Sequence, residues 1–223
     1  MSITRLYLIR HGATTLSAED RFSGATDVAL SDEGRWQAAC LARRLADDKI
    51  TAFYCSPQSR AFETASIIAQ PFNLIPQPQD GLREINHGHW ETMQRAEVEA
   101  QYPEEYAAWQ EDPFTFAPQG GESGLSVMSR ALPVIRDIVT NHAGKTVAVI
   151  SHKATIRLII SSLLGFPARG YRDHLDQSPA CLNILDFKDF VHARLMLFND
   201  VSHYVDQPPY AMNHLSEWFS EPK

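Results

Sequence analysis

The chain contains no run of residues long and apolar enough to suggest a membrane span. Its first residues lack a basic region followed by an apolar stretch, so a signal peptide is not expected. Blocks of Lys and Arg are also missing. With 20 basic against 27 acidic residues, the formal net charge is −7. Non-specific nucleic-acid binding requires a basic face and is disfavoured. A local positive pocket remains compatible with that balance, so an anionic small molecule stays in play. Cysteine is scarce. Cys40, Cys55 and Cys181 are odd in number, far apart, and form no C-x-x-C pair. A disulfide framework or a cysteine metal site is therefore not expected. Buried free thiols in a reducing cytoplasm are. Internal repeats and low-complexity segments are absent.

What is present is ordinary globular material: 223 residues, 44% apolar and 21% charged. Apolar runs at Thr4 to Ile9, Thr51 to Cys55, Thr146 to Ser151, Cys181 to Phe187 and Arg194 to Asn199 read as strands. A short one falls near Leu74 to Gln77. Helical patterns lie between them: Ser31 to Ala46, with Ser31 as N-cap, Pro57 to Ala69, Leu125 to Asn141 and Ala154 to Leu164. This alternation predicts one α/β domain over residues 1–223. Its fold class is a three-layer α/β/α sandwich with a mainly parallel sheet and helices on both faces. Residues 77–124 interrupt the alternation and read as a part-helical lid insertion, with a polar helical stretch over Thr92 to Asp112. Residues 206–223 end in Tyr210, Met212, Leu215, Trp218 and Phe219. Such an apolar tail is expected to dock on the body or on a second subunit, as in a homodimer.

In an open parallel sheet, ligands bind beyond the carboxyl ends of the strands. Three of those ends carry Arg10-His11, Ser56 to Arg60, and Ser151-His152-Lys153. Five basic residues converging there would repel one another unless an anion joined them. Phosphate suits, because an arginine fork holds two of its oxygens. The start of the helix after Pro57 would add free N–H groups.

The segments "LYLIRHGATT", "CSPQSRAFETA", "GLREINHGHWE", "GGES" and "VISHKATIR" occur in that order. Together they resemble the histidine phosphatase superfamily, in the branch that also holds the cofactor-dependent phosphoglycerate mutases. The resemblance runs from about Leu6 to about His203. It implies a phosphohistidine mechanism without metal or cofactor, acting on a small phosphorylated metabolite. It makes His11 the nucleophile, Glu84 the proton donor, and Arg10, Arg60 and His152 the phosphate pocket. A protonated His152 would share the phosphate charge with the arginines. Arg21, Ser23 and Gly24 of "RFSG" match a family segment bordering the pocket, or form a plain turn. Glu91 and Glu122 compete with Glu84, either as acid or as helix caps and arginine partners. His87 and His89 alternate as a metal pair would, or belong to the lid.

The sequence departs from the family pattern at three places. Ala13 and Ser17 stand where Glu and Asn are common, and Ser17 can still donate a hydrogen bond to the ligand. Lys153 replaces a glycine after the second histidine. It either contacts a non-reacting anionic group of the substrate or pairs with an acid, and if it faces inward it depresses the pKa of His152. The interval from Glu84 to Gly121 is shorter than in the mutases, and a shorter cover admits water. A phosphatase is therefore expected. A 2,3-bisphosphoglycerate-dependent mutase is the alternative, a fructose-2,6-bisphosphatase-like activity a further one, and a non-catalytic phospho-ligand module the outside case.

Overall fold

A computed structural model describes residues 2–15 and 21–205. Ser17 and the tail beyond residue 205 lie outside the described residues. Strands β1 (Thr4–Arg10), β2 (Ile50–Cys55), β3 (Gln77–Pro78), β4 (Thr146–Ser151), β5 (Leu182–Phe187) and β6 (Ala193–Asp200) form one sheet in the order β3-β2-β4-β1-β5-β6. The pairings of β1 with β4, β2 with β4 and β2 with β3 are parallel. β5 runs antiparallel to both β1 and β6. The sheet is thus mainly parallel, in a three-layer α/β/α arrangement.

Side-chain alternation along β1 explains its unbroken apolar run. Leu6 and Leu8 point to one face, where they pack with helix α5 (Gly124–Asn141) and helix α6 (Lys153–Leu164) through Ile135, Ile138, Ile156 and Ile159. Tyr7 and Ile9 point to the other, against helix α1 (Asp32–Leu45) and helix α2 (Ser59–Ala69) through Leu41, Leu45, Ala65 and Ile68. Each fully buried aliphatic side chain contributes about 1.5–3 kcal/mol, so this central strand is clamped from both sides. Ser31 caps α1, its Oγ accepting from Gly34 N at 3.1 Å.

The predicted helix over Thr92 to Asp112 is two helices, α3 (Arg95–Gln101) and α4 (Pro103–Glu111). Pro103 cannot donate a backbone hydrogen bond, so the chain breaks at Tyr102 and restarts. Trp90, Val98, Tyr106 and Trp109 gather around Phe22 as a separate aromatic cluster. Arg172 of the short helix α7 (Tyr171–His174) lies 4.2 Å over the Trp109 ring and donates to Gln110 O at 3.1 Å, tying α7 to α4.

Strand register sets the level of the site. Arg10 pairs with Ser151 across β1 and β4, and Cys55 pairs with Ile150 across β2 and β4. The ladder runs one step further, with His11 N donating to Ser151 O at 3.0 Å and Ser56 N to Ile150 O at 2.9 Å. His11, His152 and the start of α2 therefore emerge side by side.

Candidate active site

The His11 and His152 rings lie with centroids 5.1 Å apart, and both residues are buried. A carbonyl can only accept, so the 2.8 Å contact from His11 Nδ1 to Gly12 O places the ring proton on Nδ1. Nε2 keeps its lone pair. Burial, and then the charges of Arg10 and Arg60, hold His11 well below the usual imidazole pKa. The ring is neutral near pH 7.

His152 is fully buried, and neither ring nitrogen has a hydrogen-bond partner. Burial first, then Arg60, His11, Arg10 and Arg130, push its pKa well down. Among these neighbours the imidazole is neutral near pH 7; the protonated His152 expected above belongs to the phosphate-bound pocket.

Arg60 is buried on the first turn of α2. Its Nη1 donates to Thr26 O at 2.9 Å and its Nη2 to Gly24 O at 2.8 Å. The 24–26 segment is itself gripped by Glu91. That carboxylate accepts from Gly24 N, Ala25 N, Thr26 N, Thr26 Oγ1 and His87 N at 2.6–3.1 Å. Burial would raise the pKa of Glu91, but these five donors outweigh it and hold the group below the usual range. Gly24 has no room for a side chain: a Cβ there would sit 1.7 Å from Ile85 O. "RFSG" meets Arg60 through the Gly24 carbonyl, with the Thr26 carbonyl just beyond it. Arg21 pairs across to Gln94 and donates to Thr92 O, and Ser23 is half-buried.

Gly12 makes room for α1, since a Cβ there would meet Gly34 O at 2.4 Å. Arg10 Nη1 donates to Gln177 O at 2.7 Å, while its Nε is buried without a partner. Gln177 is fixed by Asn183, whose Nδ2 donates to Gln177 Oε1 and to Leu8 O. The sequence reading missed this support. Two polar residues in the apolar context "QSPACLNIL" were the available signal.

The three glutamates separate cleanly. Glu84 lies at the N-terminus of α6, which has no side-chain cap of its own. Its oxygens accept from Ala154 N at 3.1 Å, Thr155 N at 3.2 Å and Thr155 Oγ1 at 3.1 Å. Gln58 Oε1 accepts from Glu84 N at 2.9 Å, and Gln58 Nε2 donates to Gly24 O at 2.7 Å, linking Glu84 to the Arg60 loop. Glu122 forms a two-point pair with Arg130 at 2.8 and 2.9 Å, and Arg130 holds the Glu84 carbonyl at 3.0 Å. Ser123 caps α5. His87 packs edge-on to Phe22, and His89 contacts Gln119 O and Glu105.

Lys153 Nζ lies 3.4 Å from Asp176 Oδ1, so the acid-pairing alternative holds here. Burial and Arg157 push its pKa down to about 7.

At the strand edge of the α/β/α sandwich the fold thus gathers two buried histidines of lowered pKa, the buried Arg60 and the half-buried Arg10. The family model of the histidine phosphatase superfamily (branch 1) matches residues 6–200, and the chain belongs to that superfamily. Phosphoserine phosphatase 1 of Hydrogenobacter thermophilus is 36% identical over 163 residues, 73% of this chain and 77% of the relative. A glucosyl-3-phosphoglycerate phosphatase of Mycolicibacterium vanbaalenii is 33% identical over 174 residues, 75% of this chain and 77% of the relative. Among solved structures, YhfR of Bacillus stearothermophilus superposes with a TM-score of 0.84 at 30% identity, covering 90% of this chain and 98% of its own. Among the described residues, no helix is long and apolar enough to cross a membrane.

Proposed function

We propose that this chain is a phosphoric monoester hydrolase that works through a phosphohistidine on His11 and acts on a small phosphorylated metabolite. The observation that carries the reading is the His11 Nδ1 to Gly12 O hydrogen bond. It turns a neutral imidazole so that Nε2 is the free nucleophilic nitrogen, in a pocket crowded with cations.

In the first step, the Nε2 lone pair attacks phosphorus. The N–P bond forms as the ester O–P bond breaks, and the leaving alkoxide takes a proton from Glu84. Arg10 and Arg60 face the equatorial oxygens. A bound dianion reverses the field on His152, which then takes up a proton and becomes a third donor. In the second step, Glu84 accepts a proton from water as water oxygen attacks phosphorus and the N–P bond breaks. The arginines and histidines supply the charge stabilisation.

Arg21, Ser23, Gly24 and Ser17 are proposed to shape the substrate edge of the pocket, with Lys153 at its mouth. Residues 77–124 act as the cover. The three buried free thiols support a reducing, cytoplasmic setting. The apolar residues 206–223 support docking on the body or on a second subunit, and the acidic balance speaks against a nucleic-acid partner.

The test is phosphate release from a panel of phosphomonoesters with a chelator present, in wild type and His11→Ala. Release that vanishes in the variant supports the reading. Conversion of 3-phosphoglycerate to 2-phosphoglycerate with little release makes the protein a mutase. Silence on both counts favours a binding module.

A further inference from the structure

The peptide between Gly12 and Ala13 carries the acceptor for the His11 ring, its carbonyl lying 2.8 Å from Nδ1. A peptide unit is planar, so whatever holds its N–H also aims its carbonyl. That N–H belongs to Ala13, and it donates to Gln37 Oε1 at 3.0 Å. Gln37 lies within α1 and is 2% exposed. Its amide is oriented in turn: Nε2 donates to Glu33 Oε1, one helical turn earlier, at 3.1 Å. An unbroken line of hydrogen bonds thus runs from the Glu33 carboxylate, through the Gln37 amide and the Gly12–Ala13 peptide, to the His11 ring.

Neighbouring contacts bring α1 into reach. Gly12 packs closely on Gly34, and Ser31 donates to Ala13 O through its N at 3.0 Å and its Oγ at 3.2 Å. The other side of Gly12 is held from α2. There the buried Thr64 Oγ1 accepts from Gly12 N at 3.1 Å and donates to Arg60 O at 2.7 Å. Glycine is the residue about which peptide planes turn most readily. Its two flanking planes are therefore fixed from separate helices, and it is Gln37 that grips the plane whose carbonyl meets the ring.

We infer that Gln37 is a positioning residue for the nucleophile: by gripping Ala13 N–H it keeps the Gly12 carbonyl on Nδ1 and so keeps the ring proton off Nε2. This rests on the phosphatase reading above. Without that grip the peptide turns, Nδ1–H loses its acceptor, and the proton is free to sit on Nε2. That nitrogen then has no lone pair to offer phosphorus. Gln37 touches no reacting atom and acts through the peptide.

Imidazole nitrogen NMR on isotope-labelled protein near neutral pH reads the tautomer directly. Single-turnover phosphoryl transfer to His11 from p-nitrophenyl phosphate reads its consequence. Wild type should show a protonated Nδ1 and a bare Nε2 on His11. Gln37→Leu, similar in size but without an acceptor, should shift His11 toward the Nε2–H form. It should lower the transfer rate constant about 10- to 100-fold, with steady-state KM within about twofold. Gln37→Glu, which still offers an oxygen to Ala13 N–H, should restore most of both. A partly unfolded preparation lowers the amount of label and leaves the rate constant and the tautomer of the folded fraction alone. If Gln37→Leu does not fold, Gln37→Asn, polar but one methylene shorter, carries the same expectation. A folded Gln37→Leu or Gln37→Asn with Nδ1 protonated as in wild type overturns the inference and leaves the phosphatase reading intact, as does a Gln37→Glu that restores nothing. Wild type that places no phosphoryl group on His11 overturns both.

Discussion

The two walls of the pocket are built on opposite plans. On the α2 wall every charge is answered: Arg60 by two carbonyls, those carbonyls' segment by Glu91, and Glu84 N by Gln58. On the wall formed by β1 and α6, polar atoms are buried without partners: both nitrogens of His152, Nε of Arg10 and Nε of Arg157. A buried polar atom left unpaired costs free energy. The first wall is therefore a frame that holds an arginine in place, and the second is left in deficit until an anion arrives. One wall contributes stability along with function, and the other is expected to trade stability for function.

Substitutions can set the walls against each other. The largest effect is expected from Arg60→Ala, with kcat/KM down about 10³-fold or more. Stability should fall as well, because the carbonyls of Gly24 and Thr26 lose their donor. Steady-state kinetics and urea unfolding would report both. His152→Leu should cost about 10²-fold in kcat/KM, in the range of a lost charge-stabilising donor. Its unfolding midpoint should stay level or rise, since it removes two orphaned nitrogens. A clear loss of stability there would end the contrast between the walls.

Glu91→Gln probes the frame at one remove. It replaces a charged acceptor serving four backbone N–H groups and a hydroxyl. A loss of about 2–3 kcal/mol in urea unfolding is expected, together with about a tenfold fall in kcat as Arg60 loosens. Thr155→Val is a smaller perturbation. It removes the hydroxyl that bonds Arg83 O and Glu84 Oε1, and a few-fold change in kcat with little change in KM is expected. Unchanged kinetics would show that the backbone N–H groups alone place the acid.

pH sharpens the same comparison. His11 and His152 have folded pKa values held well below 6.5, so the unfolded chain binds more protons as pH drops through about 6.5. Stability should be level above that point and decline below it. Saturating inorganic phosphate should flatten the decline, because the anion favours the protonated ring. Thermal melts from pH 7.5 to 5.5 with and without phosphate would check this; an equal slope in both would count against it.

Much of the fold was legible because β1, β2 and β4 are buried on both faces and read as unbroken apolar runs. The break at Tyr102 was less so, since Pro103 sits where a proline can equally open a helix. In the site, the strand-end cations could be located because parallel-sheet register brings them level. Their surroundings could not. The role of Glu91 depends on a loop nearly 70 residues earlier in the chain, and that of Gln177 on a contact with Asn183. Neither pattern has a local periodicity to read. The charge state of His152 was also beyond sequence, because it depends on total burial among like charges.

The most direct measurement is a rapid-quench trap of the covalent intermediate, using a radiolabelled phosphomonoester and peptide mapping. The account predicts label on His11 that is acid-labile and alkali-stable, appears within the first turnover, and is absent in His11→Ala. Turnover with no label on His11, or label that persists in His11→Ala, would contradict it.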